Sequence, residues 1–568
     1  MSFPAPTTPE IDRKLRSDFY RRVKDFGISA DAIDPVLAVL FRTLAQQIEA
    51  VYADTGRMRQ ALLDELMDGI RLTPRLACPA QSVVRFLSTA GRAKVLRAGT
   101  ELNGTAASGQ RLTFATDATV EVSAANIALA LAYQEQSLQL LPAVETSETI
   151  QACRPSLDPV HVNLGPQPAV FLAIENLPAS HLSRHGIFFE LSPGSWAIQN
   201  ALRGEPWWIY GPDGDLSSEG LLRPQRVSRG VYQLEWQSSP AGPAQTAEGL
   251  PELIDGFYAG RQYVFPVIPT ERQLSCAAPR LLESPLAKIC GRDLKRFFET
   301  PRTWIRIPMG PDVPSLRSAI NGILLHAVTV SNVFCRNQTV HFDRDGSSIP
   351  VGRELNGMRE LLVAPLSVTS SSNIPYTGGL RTGADASVGW YELRNNRITL
   401  HPGLDLDGAA QRSANVRLWM TNGELGNRVG PGDITGFANS AVFDQIRIAH
   451  VAAAAGGTDG EDYPASERRF AESLLTRGRI VTRADLVASV LGFDRRILDV
   501  DVQSRMERRN GGLRRIERLW VKLDRNGFTM ADVELPVLQQ DLRRYLTARS
   551  IQGVEMDVRF EWDEESAA

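Results

Sequence analysis

The chain has 568 residues, of which 43% are hydrophobic and 22% charged, and a formal net charge of −3. That balance excludes a disordered chain, and nothing in it argues for nucleic acid as the main partner. Cys78, Cys153, Cys276, Cys290 and Cys335 are an odd number, widely spaced and without a CxxC pair, which excludes a disulfide framework or a zinc site and favours a reducing cytosol.

Along the chain, "EIDRKLRSDFYRRVKDF" predicts an amphipathic helix, with Ile11, Leu15, Phe19 and Val23 on one side. A stronger helical pattern follows in Leu37, Leu40, Phe41, Leu44, Ile48, Val51, Tyr52, Met58, Leu62, Leu63, Leu66 and Ile70. Asp34 before Pro35 suits an N-cap and first helical position, and Gly56 marks an expected kink or break. A stripe this long needs cover, either from the protein's own domain or from a bundle shared with another subunit. From residue 80 to 150 short strands replace the helix, with Pro79 at a strand start and Gly99 at an expected bulge or tight turn. Residues 160–270 and 300–450 continue in strands, with hairpin turns expected at Asn395-Asn396 and Asn422-Gly423. "AAAAGGTDGEDYP" reads as a hinge. Beyond it, Thr482 and Asp485 predict a capping box, and an α-β-β-α-β order predicts a two-layer α+β domain. No basic segment followed by an apolar one opens the chain, and no run of roughly 18 apolar residues is long enough to cross a membrane.

A search for chemistry returns little. There is no phosphate-binding glycine loop, nucleophile elbow or HExxH among the seven histidines. His181 and His185 are spaced as helical metal ligands, but the following "HGIFFEL" turns into strand, so a solvated loop pair is the expectation. Asp213 and Asp215, and Asp343 and Asp345, lie beside glycines as turn residues and supply too few oxygens for calcium. Trp196, Trp207, Trp208 and Tyr210 form either an aromatic platform or, the favoured reading, a β-domain core. Arg477, Arg479 and Arg483 suit a protein interface or a solvated face better than a phosphate site. No catalytic, metal or cofactor residues emerge, and no cofactor is expected.

The stretch "DPVLAVLFRTLAQQIEAVYADTGRMRQALLDELMDGIRLTPRLACPAQSVVRF", followed by "RAGTELNG" and "LTFATDATVEV", resembles the N-terminal segment of TssF, the type VI secretion baseplate subunit, and of baseplate J-like wedge proteins. Toward the C-terminus, Thr421, Asn422, Gly423, Gly426 and Asn427 resemble a "TNG..GN" motif. Gly456, Gly457, Asp459 and Glu461 resemble "GG.D.E", and Arg477, Arg479, Val481, Thr482 and Asp485 resemble "R.R.VT..D". The likeness spans roughly the first 120 and last 150 residues. The C-terminal pattern is closer to baseplate J and divergent type VI variants than to the commonest TssF, which leaves the particular contractile machine open.

The resemblance implies a structural, non-enzymatic baseplate wedge subunit. Its partners would be a TssG-like wedge subunit, further copies of itself, a lysozyme-like small wedge subunit, a TssK-like adaptor and a VgrG-like spike hub, without nucleic acid or membrane insertion. Its location would be the cytoplasm, near the inner membrane for a type VI system. The alternatives are a wedge protein of a contractile phage tail or extracellular particle and, in a different class, a β-rich carbohydrate-binding protein or enzyme. Partner contacts are expected at Leu37, Leu44, Ile48, Val51, Met58, Leu62, Leu66, Arg477, Arg479 and Asp485. The expected fold is α+β and multidomain: N-terminal long helices, β-rich middle domains and a small C-terminal α+β domain. The expected segments are 1–75 (helical, the wedge bundle), 76–150 (small β-rich), 151–300 (β-rich middle), 301–455 (second β-rich) and 456–568 (C-terminal α+β).

Overall fold

The computed structural model describes residues 7–25, 35–70, 75–88, 93–141, 158–177, 183–192, 195–228, 231–236, 257–258, 260–266, 274–290, 300–311, 313–342, 347–355, 358–378, 388–394, 397–404, 411–439, 443, 445–461, 463–509, 512–528, 531–550 and 554–563. The protein is α+β and multidomain, with long N-terminal helices, a β-rich body and a small α+β unit at the C-terminus.

Helix α1 (Thr8–Asp25) and helix α2 (Pro35–Gly69) run antiparallel. Phe19 meets Phe41 edge-on at 5.3 Å near one end of the pair, and Thr8 bonds Glu49 nearer the other. Asp34, the expected cap, lies outside the described residues. The break expected at Gly56 does not occur, and α2 runs through it as one helix. A single helical glycine costs about 1 kcal/mol against alanine, too little to interrupt 35 residues of cooperative helix.

Two large sheets form the body. The six-stranded sheet runs, in spatial order, Ile434–Phe437, Glu101–Thr105, Arg111–Thr116, Ala327–Ser331, Gln81–Ser88 and Ile446–Ala455. Gln81–Ser88, the first of these strands in the chain, is where the helix hands over to strand. Gly99, at φ 81, makes the turn before Glu101, and its amide donates to the Thr116 carbonyl at 2.7 Å. The eleven-stranded sheet takes its strands from between Asn126 and Leu325. Sheet membership does not follow chain order. Strands from residues 76–150 are divided between the two large sheets and a two-stranded pair, Lys94–Leu96 with Val120–Val122. Ile320–Leu325 and Ala327–Ser331 belong to different sheets although only His326, at φ 60, separates them.

Among the described residues, α3 (Trp196–Gly204), α4 (Arg280–Cys290) and a single helical turn at Leu316–Ala319 interrupt the strand-rich stretch. Two members of the aromatic cluster are core, Trp208 is half-buried, and the side chain of Trp196 lies outside the described residues. Trp207 and Tyr210 are fully buried, and Trp207 lies 5.8 Å from Phe189 and 4.9 Å from Tyr263. Those rings offer no platform to a sugar. Two four-stranded sheets between Phe334 and Thr421 share one apolar core. The strands Trp390–Arg394 and Arg397–His401 pair with Arg394 opposite Arg397, as the predicted hairpin requires.

After α5 (Tyr463–Thr476) the C-terminal unit follows the predicted order: α6 (Arg483–Leu491), strands Ile497–Arg509 and Gly512–Leu523, α7 (Ala531–Arg549) and strand Val554–Trp562. The first two strands are antiparallel and the third is parallel to the second, so α7 is the crossover between parallel strands. Leu538, Leu542 and Leu546 of α7 pack against Val500, Val502, Leu519 and Val521 of the sheet.

Candidate assembly interface

Two features recruit the residues singled out by sequence. The first is α2. Leu37, Leu44, Val51 and Met58 stand seven residues apart and, with Leu40, Leu62 and Leu66, fall on one side of the helix. All seven are exposed; Val51 keeps 64% of its surface, Met58 68% and Leu62 62%. Ile48, at one border of the stripe, is half-buried. The neighbouring face carries Ala45, Leu63 and Met67, all buried. The helix therefore has one apolar face inside the protein and a second outside. The outer stripe extends for about 45 Å at 1.5 Å per residue. Arg59 anchors α2 to α5 through Glu467 at 2.8 Å.

The second feature is a clasp built from the glycine motifs. The expected hairpin turn at Asn422-Gly423 is instead the entry to a short 3₁₀ helix, Gly423–Arg428. The expected hinge is the opposite of a hinge. Ala453–Ala455 complete a strand of the six-stranded sheet, and Gly456–Glu461 then lock onto the 3₁₀ helix and the helix exit. Asn427 spans the Gly457 backbone, donating to its carbonyl and accepting from its amide, both at 2.8 Å. Asp459 accepts from the Glu424 amide at 2.9 Å, and burial raises its pKa against the opposing pull of Arg359. The amide and carbonyl of Cys78 exchange bonds with Thr458, and Glu461 bonds the backbone of Arg75 in both directions.

The glycines follow from this close approach. A Cβ on Gly457 would sit 2.4 Å from the Gly423 carbonyl oxygen, and one on Gly426 would sit 2.7 Å from Ala80 Cβ. Asn332 was not singled out by sequence. Its side chain accepts from the Asn422 amide at 2.9 Å and donates to the Thr113 carbonyl at 2.9 Å, joining the motif to the six-stranded sheet. A polar residue inside the apolar run "AVTVSNVF" is the signal that could have found it.

The C-terminal unit is tied to the clasp. Arg75 donates to the Phe493 carbonyl at 2.8 Å, and Arg495 pairs with Glu424. Arg496 holds Asp494 through two bonds, at 2.9 and 3.0 Å, and Glu534 at 2.7 Å. Burial pushes Asp494 up, but the Arg496 charge and its hydrogen bonds carry the pKa below the usual value. Arg477 and Arg479 are exposed in the turn after α5. Asp485 completes the predicted capping box, accepting from the Thr482 amide at 2.8 Å, so its side chain is used inside the chain.

His181, Asp343 and Asp345 lie outside the described residues. His185 is not on a solvated loop. It is fully buried, bonds Ser123 at 2.8 Å and lies 5.0 Å from the ring of His326. Strand Gly186–Leu191 begins one residue later and draws it under the sheet. Asp215 pairs with Arg280 at 2.9 Å beside a turn at Gly214. Among the described residues no group of His, Cys, Asp or Glu could hold a metal ion, and no helix is long and apolar enough to cross a membrane.

No family model matches the chain, and no curated protein matches it in sequence. Among solved structures it is similar to a chain of the type VI secretion TssK-TssF-TssG baseplate subcomplex, at 14% identity and a TM-score of 0.44, over 92% of this chain and 97% of that one. It is similar to a chain of a type VI secretion baseplate complex at 14% identity and a TM-score of 0.34, over 98% and 97%. It is also similar to a chain of the anti-feeding prophage baseplate at 11% identity and a TM-score of 0.28, over 96% and 70%.

Proposed function

We propose that this chain is a structural wedge subunit of a contractile injection baseplate, TssF-like, and that α2 joins a helical bundle with a TssG-like partner. The observation that carries this reading is the outer stripe of α2. Seven large apolar side chains in register, left in water on a helix whose other face is already packed, are a surface shaped for another helix. Each such side chain contributes about 1.5–3 kcal/mol when fully buried, so a partner covering the stripe would be held firmly. The ordered motifs that resemble baseplate J-like proteins supply the class of assembly. Further copies of the chain, a lysozyme-like small subunit, a TssK-like adaptor and a VgrG-like hub complete the proposed surroundings, in the cytoplasm. Arg477 and Arg479, exposed beyond α5, are proposed as secondary contacts.

The test is co-expression with the neighbouring candidate wedge genes, then co-purification and mass measurement. Wild-type chain is expected to form a stable hetero-oligomer. The double variant L44D/L62D is expected to purify alone with an unchanged far-UV spectrum. A wild-type chain that stays monomeric beside every neighbour would sink the reading.

A further inference from the structure

A cleft of about 420 Å³ opens between α3, the approach to strand Gln262–Val264, and α7. One wall carries Arg203 and Arg261. Arg261 is only 9% exposed, and its Nε meets no acceptor among the described residues. Arg203 donates to the Gln199 carbonyl at 3.2 Å and to Asn200 Oδ1 at 2.7 Å, both neutral. A Cβ on Gly260 would lie 3.1 Å from Arg203 Cδ, so the Arg203 side chain rests on the residue next to Arg261. Neither arginine has an ion-pair partner among the described residues; the Arg261 guanidinium lies 5.9 Å from the centre of the Tyr258 ring, and Glu190 attracts it without forming an ion pair.

The carboxylates on the opposite wall are engaged. Asp494 and Glu534 hold Arg496, and Asp541 faces Arg544 at 3.9 Å. Arg203 and Arg261 line the same cleft, and a desolvated guanidinium whose Nε has no acceptor gains from an anion brought to it. Burial already lowers the pKa of Arg261, as expected of a cation lacking its counter-charge. Phe257, Phe493 and Val537 add apolar lining, so the space suits a carboxylate with apolar chain on either side better than a bare inorganic ion.

We propose that this cleft receives an aspartate or glutamate side chain from a neighbouring polypeptide, clamped by Arg203 and Arg261. The site goes beyond the wedge reading and does not use the α2 stripe, so either can fail alone. The probe is a fluorescein-labelled octaglutamate peptide added to the full chain at low salt and followed by anisotropy, with octaglutamine as control. R203Q/R261Q is expected to weaken octaglutamate binding by about tenfold or more, while the exposed pair R111Q/R447Q leaves it unchanged. Should R203Q/R261Q fold poorly, R203K/R261K keeps the charge, loses the planar fork, and is expected to retain the melting temperature with weakened binding. Equal binding by wild type and R203Q/R261Q overturns the proposal. So does a drop in melting temperature on R261Q that E248Q/E252Q/D255N reproduces without adding to it, because the carboxylate is then the chain's own.

Discussion

In α2, Val51, Met58 and Leu62 keep more than half of their surface in water, whereas in the clasp the Gly457 amide and carbonyl each find Asn427 at 2.8 Å. One region leaves apolar surface uncovered while its other face packs, and the other leaves little unsatisfied. The motif residues of the clasp, Asn422 to Asn427 and Gly456 to Glu461, are spent inside the chain, holding the helix exit, the six-stranded sheet and the C-terminal unit together. The largest uncovered apolar surface comes instead from the period of α2, which has no glycine motif in it. The glycine motifs therefore mark where this fold is held together, and the surface left free has to be read from exposure.

The contrast can be broken from the rigid side first. R496M should be the most damaging change, because it strands Asp494 and the buried Glu534 without a cation; a loss of about 3–5 kcal/mol is expected in urea denaturation. If R496M were neutral, the C-terminal unit would not depend on this ion triad. N427A should come next, at about 1–3 kcal/mol, because it leaves the amide and carbonyl of Gly457 without their partner.

Acid supplies a smaller, graded test. His326 is buried, its Nε2 lies 2.8 Å from the Ala125 carbonyl, and burial together with the nearby His185 lowers its pKa from 6.5 to about 3. The unfolded chain takes up a proton at this residue below about pH 6.5, and the folded chain does so only near pH 3. Stability is therefore complete above pH 6.5 and falls on acidification by about 1.4 kcal/mol per pH unit within that window. Denaturation at pH 7 and pH 5 measures the slope, and H326Q should flatten it.

The smallest effect on stability belongs to the stripe. L44D and L62D should each shift the unfolding free energy by no more than about 0.5 kcal/mol, since both side chains already face water. Their effect should appear only in co-purification. A large loss of stability would mean the stripe is buried within the free chain, and the contrast with the clasp would disappear.

What could be read without coordinates was local. The capping box at Thr482 and Asp485 holds because its bonds join residues three apart in the chain. The hairpin register at Arg394 and Arg397, the α-β-β-α-β order and the apolar period of α2 are likewise short-range. The sequence by itself determined the class of fold and the direction in which each helix would be amphipathic. Only the tertiary structure decided that Gln81–Ser88 lies between Ala327–Ser331 and Ile446–Ala455, that "AAAAGGTDGEDYP" locks instead of bending, and that His185 is buried. It also decided which apolar face of α2 would be covered. Those outcomes depend on pairings hundreds of residues apart, and local propensity does not encode which distant backbone will arrive to satisfy a given amide or bury a given side chain.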